Sequence, residues 1–195
     1  YLNVSRNEEL EEIKSLKESI NLEFKTSFNI PYGGFPKHII VDNQKVYKLG
    51  NSSFKSHNEI KKFIQKQSLK AIAAFLNTKG GQLIIGINEE KQSNKIVTIV
   101  NDNYEDDDKY VRNIIQQINN RIGTKFCSEY IDIKIKSIED NKVCIIDVNP
   151  YHPLAGEIRA YLDEKELYRR TGPRNDKVPD GPETGKFIIE RMSKT

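Results

Sequence analysis

Residues 71–90 read AIAAFLNTKGGQLIIGINEE, and the fold turns on them. Ala71, Ile72 and Phe75 continue a 3.6-residue apolar period begun at Ile60, Phe63 and Ile64, so a helix runs into this stretch. Gly80-Gly81 stops it, because glycine accepts the left-handed backbone that a helix C-terminus often requires. The apolar run Leu83–Ile87 follows at once and predicts a short central strand covered on both faces. Asn88, Glu89 and Glu90 then put oxygen-bearing side chains at the strand's carboxyl end, where functional groups often emerge. A tight helix–strand connection with no ligand explains the same glycines equally well.

Upstream, Leu10, Ile13, Leu16 and Ile20 fall at helical spacing in a Glu/Lys-rich segment, predicting an amphipathic helix over 7–19. Leu22-Glu23-Phe24-Lys25 alternates with period two, which places Glu23 and Lys25 on one face of a strand. An irregular stretch over 27–55 contains Pro31, Gly33, Gly34 and Pro36. Inside it, His38–Val41 and Lys45–Leu49 flank Asp42-Asn43-Gln44 and predict a hairpin. Ser56, with Glu59 three residues on, reads as the capping box of the central helix.

Downstream, Ile96–Val100 predicts a strand and 106–122 a helix buried along Val111, Ile114, Ile115, Ile118 and Ile122. Ile131, Ile133 and Ile135 alternate with charged residues, and Val143–Val148 pairs with them across Asp140-Asn141. Ile158–Leu162 and Glu166–Arg170 form another hairpin, and 183–192 a closing helix. Strands that come singly between helices and also in hairpins give an α+β class with a mixed β-sheet and packed helices. The length, 195 residues, suggests a single domain over 1–195 with an insertion at about 28–55.

Two cysteines exclude a disulfide framework, and the absence of a long apolar run predicts no membrane span and a cytoplasmic home. The net charge of +3 is unevenly spread. Residues 55–79 hold six lysines and one acid, residues 158–178 four arginines and two lysines against four acids, and residues 102–108 five acids and no base.

Three constellations could carry chemistry. In the first, Glu18, Glu23 and Lys25, two carboxylates and an ammonium could ligate a divalent cation and steady a phosphate, with Glu89 or its neighbours as a third oxygen donor. The plain alternative is a surface Glu–Lys pair. The second is the helix–glycine–strand block itself. The third is Tyr168-Arg169-Arg170-Thr171-Gly172-Pro173-Arg174-Asn175, where alternation sends Arg169 and Arg170 to opposite faces and the turn lets Arg174 approach. Arginine forks match phosphate oxygens. With Lys61, Lys62 and Lys66 of the central helix they could track a nucleic-acid backbone; a solvated basic hairpin is the alternative. GPETGKF at 181–187 falls short of a phosphate loop, and His38, His57 and His152 share no ligand spacing. Cys144 reads as core filler. Tyr32 and Phe35, flanking Gly33-Gly34, could stack bases or pack back on their own domain.

These blocks, in this order, resemble the Schlafen-type AlbA-like, DNA-binding domain of many bacterial proteins, through ESINLEFK, AIAAFLNTKGGQLIIGINEE and LYRRTGPRN. The resemblance implies a nucleic-acid-binding domain of a bacterial protein. Some animal members are endoribonucleases that cut tRNA and rRNA with two glutamates, an acid after the buried strand and a divalent metal. Carried onto this chain, those positions are Glu18, Glu23 and Glu89, with Lys25 beside them and Mg²⁺ or Mn²⁺ as the ion if the chain is a nuclease. Glutamate replaces the family's aspartate at position 89. About two dozen more residues separate Glu23 from Ala74 than the family leads one to expect. The resemblance further implies that a homodimer or a partner domain completes the groove. A non-catalytic DNA- or RNA-binding module of a transcriptional regulator or defence protein is the alternative expectation. A protein-interaction scaffold using the inserted hairpin is the third.

Overall fold

A computed structural model describes residues 6–151 and 159–192. Its centre is a four-stranded sheet built from β1 (Leu22–Lys25), β5 (Gly81–Ile85), β8 (Ile131–Ile138) and β9 (Asn141–Val148). The spatial order is β1-β5-β9-β8, with β1 parallel to β5 and the other neighbours antiparallel. Two clusters of apolar side chains divide the sheet's faces by alternation. Leu83, Ile85, Cys144, Ile146 and Val148 meet α2 (His57–Leu76) and α3 (Asp107–Arg121). Phe24, Ile84, Val143 and Ile145 meet Ile13 of α1 (Arg6–Ser15). Central β5 is thus covered on both faces, as its unbroken apolar run implies, and Cys144 is buried as core filler.

A three-stranded meander, β2 (His38–Val41), β3 (Gln44–Leu49) and β4 (Ser52–Phe54), separates β1 from α2. Its first turn holds Asp42 and Asn43 at φ of 48° and 61°, the left-handed pair that a two-residue hairpin turn demands. Ser56 caps α2, its hydroxyl accepting the Glu59 N–H at 3.2 Å. The Glu59 carboxylate reaches back one residue further than a capping box requires, to the Lys55 N–H at 2.7 Å.

The end of α2 explains the Asn-Thr-x-Gly-Gly signature. Asn77 donates to the carbonyls of Ala160 and Tyr168 and accepts the Ala160 N–H, tying the helix end to a second sheet. That sheet is β10 (Tyr161–Leu162), β11 (Glu166–Thr171) and β12 (Arg174–Lys177), all antiparallel. Thr78 donates to the Ala74 carbonyl at 2.6 Å. At Gly80, with φ of +71°, a Cβ would stand 2.6 Å from the Val148 carbonyl oxygen; at Gly81 it would stand 2.7 Å from that of Asn21.

Several sequence expectations need correction. The first helix ends at Ser15 rather than Ser19, because Asn94 donates to the carbonyls of Ile13 and Leu16 and closes it there. The strand expected over Leu83–Ile87 stops at Ile85; Gly86, at φ +101°, turns the chain into the short pair β6 (Ile87–Asn88) and β7 (Lys95–Ile96). Ile96–Val100 is not a strand: Thr98 at φ +54° breaks it, and Ile99–Asn101 form a 3₁₀ turn. A seven-residue helix, α4 (Thr124–Tyr130), and the strands β4 and β12 were not legible in the pattern. The β8–β9 turn falls on Glu139-Asp140, one residue early. The closing helix is α5 (Pro182–Met192). Ile158 and His152 lie outside the described residues.

Candidate functional site

Alternation in β1 directs Glu23 and Lys25 to the face that packs on α2, and their side chains pair with each other. Glu23 is buried at 4% exposure, and its second carboxylate oxygen accepts from Arg170 of β11. The guanidinium of Arg170 lies 4.9 Å above the ring of Phe75, and its side chain is fully buried. All five of its N–H donors have acceptors: Glu23 and Asn175 from one terminal nitrogen, the Ser19 and Leu22 carbonyls from the other, and the Ile20 carbonyl from Nε. The arginine expected to grip phosphate is instead the clamp between β11 and the segment over 19–23. It has no donor left for a ligand.

Glu18 and Glu89 come together although 71 residues separate them. The Glu89 carboxylate accepts the Glu18 N–H at 3.2 Å. The Glu18 carboxylate accepts the Phe24 N–H at 2.8 Å, on the side of β1 that no strand among the described residues occupies. Burial raises the pKa of Glu18; the Phe24 N–H and Lys25 act against this, while Glu23 and Glu89 add to it. The four residues Glu18, Glu23, Lys25 and Glu89 therefore share one end of the sheet. Four of their six carboxylate oxygens, however, are engaged. Glu23 spends both on cations, and Glu18 and Glu89 each spend one on a backbone N–H. Among the described residues no group of three or more His, Cys, Asp or Glu side chains is arranged to hold a metal ion. As positioned, this donor set does not fit Mg²⁺ or Mn²⁺, which demand several available hard oxygens in octahedral array.

The basic residues of α2 lie beside the second sheet. Lys62, Lys66 and Lys70 follow at four-residue intervals and so share a face; Lys62 is exposed, with Lys61 half-exposed next to it. Lys66 reaches Glu166 of β11 at 2.5 Å, and Lys177 of β12 approaches the same carboxylate at 3.9 Å. Lys70 stands 5.7 Å over the Tyr168 ring, and burial together with Lys66 lowers its pKa. Arg174 is open to solvent, its side chain 73% exposed and only loosely set against Asp176 at 3.7 Å. Arg169 packs 6.0 Å over the Phe187 ring. Lys66 and Lys177 thus meet at Glu166 on the α2 side of the sheet, whereas Arg169 faces Phe187 on the other side and Arg174, in register with Thr171, stands at the far end of β11.

Residues the pattern did not single out carry much of the architecture. Asp102, at 1% exposure, accepts the N–H groups of Phe28, Asn29 and Ile30 at 2.6–2.8 Å and the Tyr110 hydroxyl at 2.6 Å. Burial raises its pKa, opposed by those four donors. The five-acid run over 102–108 signalled charge, but nothing in it marked one aspartate as internal. Phe35 stacks on His57 with ring centroids 4.4 Å apart, which is packing back on the domain, whereas Tyr32 stays 56% exposed. His38 meets Tyr47 edge-on, so neither described histidine stands among potential metal ligands.

No curated protein matches the chain. Among solved structures, the crystal structure of the DIP2311 protein from Corynebacterium diphtheriae is similar, with a TM-score of 0.55 and 16% identity. The match covers 97% of this chain and 32% of that one, so the chain spans about a third of the length of that protein. At this identity the likeness concerns the fold. No described helix is long and apolar enough to cross a membrane. A sequence model of the family described as "Schlafen, AlbA_2" matches residues 51–179, from the end of the meander through β12. With the helix–glycine–strand block inside that span, the chain belongs to the Schlafen AlbA_2 family, which suggests a nucleic-acid-binding domain.

Proposed function

We propose that this chain is a non-catalytic nucleic-acid-binding module that grips the phosphate backbone along α2 and the β11–β12 turn. The observation that carries this reading is the run of lysines along α2, with Lys62 exposed and Lys61 and Lys66 partly so, together with the exposed Arg174 at the β11–β12 turn. Lysines give mobile point charges for phosphate, and Arg174 gives a fork. Family membership supports the same reading. Among the described residues no helix-turn-helix recognition element accompanies the face, so binding is dominated by backbone charge and is weakly sequence-specific. A second such domain, from a dimer or from a longer protein, would close the groove.

A second reading is a metal-dependent endoribonuclease on structured RNA such as tRNA. The convergence of Glu18, Glu23, Lys25 and Glu89 at one sheet end favours it. It requires Glu23 to give up at least one of its cations before its oxygens are available. The experiment is incubation of the chain with total tRNA and with duplex DNA, in Mn²⁺ or chelator, beside Glu23→Gln. Retarded but intact nucleic acid in every lane supports the module. Metal-dependent cutting that disappears in Glu23→Gln replaces it with the nuclease.

A further inference from the structure

Tyr32 is a large aromatic side chain more than half exposed, yet it rises from a part of the chain that is firmly held. The backbone just before it is pinned by three N–H bonds to buried Asp102. The turn that presents it is closed by the Gly34 N–H on the Pro31 carbonyl at 2.8 Å, with Gly33 at φ +85° in the position that favours glycine. Pro31 is buried beneath it. The ring is therefore pre-positioned without being packed away, an arrangement that leaves one flat apolar surface for a partner.

Tyr32 lines two clefts. One, of about 330 Å³, lies against Thr98, Asn101 and Asp102; the other, of about 280 Å³, lies against Lys25, Leu49, Ile64 and Gln67. Thr26, Ser27 and Pro31 line both, so the two clefts adjoin at Tyr32. Their charges are unequal. Among the described residues, Asp102 is the one charged group lining the first cleft, and its oxygens are committed to four protein donors. Lys25 is the one charged group among them lining the second, its side chain 26% exposed and its ammonium shared with the Glu23 carboxylate. Gln67 continues that wall toward Lys70, whose ammonium it accepts at 3.4 Å. A flat ring, hydroxyl-bearing walls and a cationic exit match a base joined to a phosphate.

We infer that the two clefts adjoining at Tyr32 form a nucleobase subsite, in which Tyr32 stacks on an unpaired base of a single strand whose phosphates pass Lys25 toward the α2 lysines. This rests on the nucleic-acid reading above and adds to it a preference for unpaired strands. A duplex keeps its bases stacked on one another and offers Tyr32 no face.

The test uses the whole chain with a labelled single-stranded oligonucleotide, as RNA and as DNA, and a blunt duplex of the same sequence. Tyr32→Ala should weaken single-strand binding by about tenfold or more and leave duplex binding unchanged. Tyr32→Phe, which keeps the ring, should bind as the unsubstituted chain does. The chain contains no tryptophan, so Tyr32→Trp is a lone reporter whose emission the single strand should quench and the duplex should not. Equal affinity of Tyr32→Ala for the single strand, an equal loss on both probes, or unquenched Trp emission overturns the subsite. If the unsubstituted chain binds neither probe even at low salt, the nucleic-acid reading fails and the subsite with it. Binding of both probes with Tyr32 immaterial removes the subsite alone.

Discussion

Glu23 and Arg170, 147 residues apart, form a buried ion pair that locks β11 onto the edge of the central sheet. The pair is structural in its consequences, because the same guanidinium also satisfies three backbone carbonyls over 19–22. Arg170→Ala should therefore lower stability by about 3–5 kcal/mol, the range for removing one partner of a buried pair. Arg170→Lys should rescue little of it, since an ammonium cannot reproduce a planar five-donor fork. Urea unfolding measures both, with Arg174→Ala, an exposed side chain, as the control within about 0.5 kcal/mol.

The lysine face should announce itself through salt. Replacing Lys61 and Lys62 together with Gln should weaken duplex binding. It should also reduce the slope of log affinity against log salt by about 2, roughly 0.9 for each phosphate left without its cation. Titrations at several salt concentrations provide the slope. An unchanged slope would move the interface off α2.

Gly80 and Gly81 should be far less tolerant than Gly33. A methyl at Gly80 meets the Val148 carbonyl oxygen at 2.6 Å and Pro150 Cδ at 2.8 Å; at Gly81 it meets the Phe75 ring at 2.5 Å. Either alanine should cost about 2–3 kcal/mol. At Gly33 nothing lies within 4 Å, so only the left-handed backbone is penalised, at about 1–2 kcal/mol. Thermal unfolding of the three variants should order them accordingly.

Glu18 should make stability depend on pH in the direction set by its raised pKa. A carboxyl that holds its proton more tightly when folded contributes stability below its unfolded pKa of about 4.3. That contribution is lost as pH rises through the folded value. The stability of the natural chain relative to Glu18→Gln, which can still accept the Phe24 N–H, should thus be greatest near pH 4 and fall toward neutrality. Urea midpoints across that interval would contradict this if the difference stayed flat or grew with pH.

Patterns set by neighbours in sequence were readable in advance. The alternation of Ile131, Ile133 and Ile135 became β8, and Asn-Thr-x-Gly-Gly became the hinge from α2 to β5. Polar strands such as Arg174–Lys177 were not readable, because their extended backbone is imposed by the ladder to β11 rather than by their own side chains. Thr98 defeated the apolar run around it through a backbone angle held by its bonds to Lys142. The candidate site shows the same division. Parity correctly sent Arg169 and Arg170 to opposite faces. Which of them met solvent depended on Glu23, and no local pattern reports a partner so distant.

That distance has a temporal side. During synthesis at about 5–20 residues per second, the codon for Arg170 is reached roughly 7–30 s after that for Glu23, the two being 147 positions apart. Throughout that interval the carboxylate has Lys25 as its neighbour and no guanidinium. The parallel neighbour of β1, strand β5, likewise emerges only after the whole of α2. Strand β1 is thus made well before β5 and β11, the strands that secure it, and Arg170 acts as the latch that ends the wait.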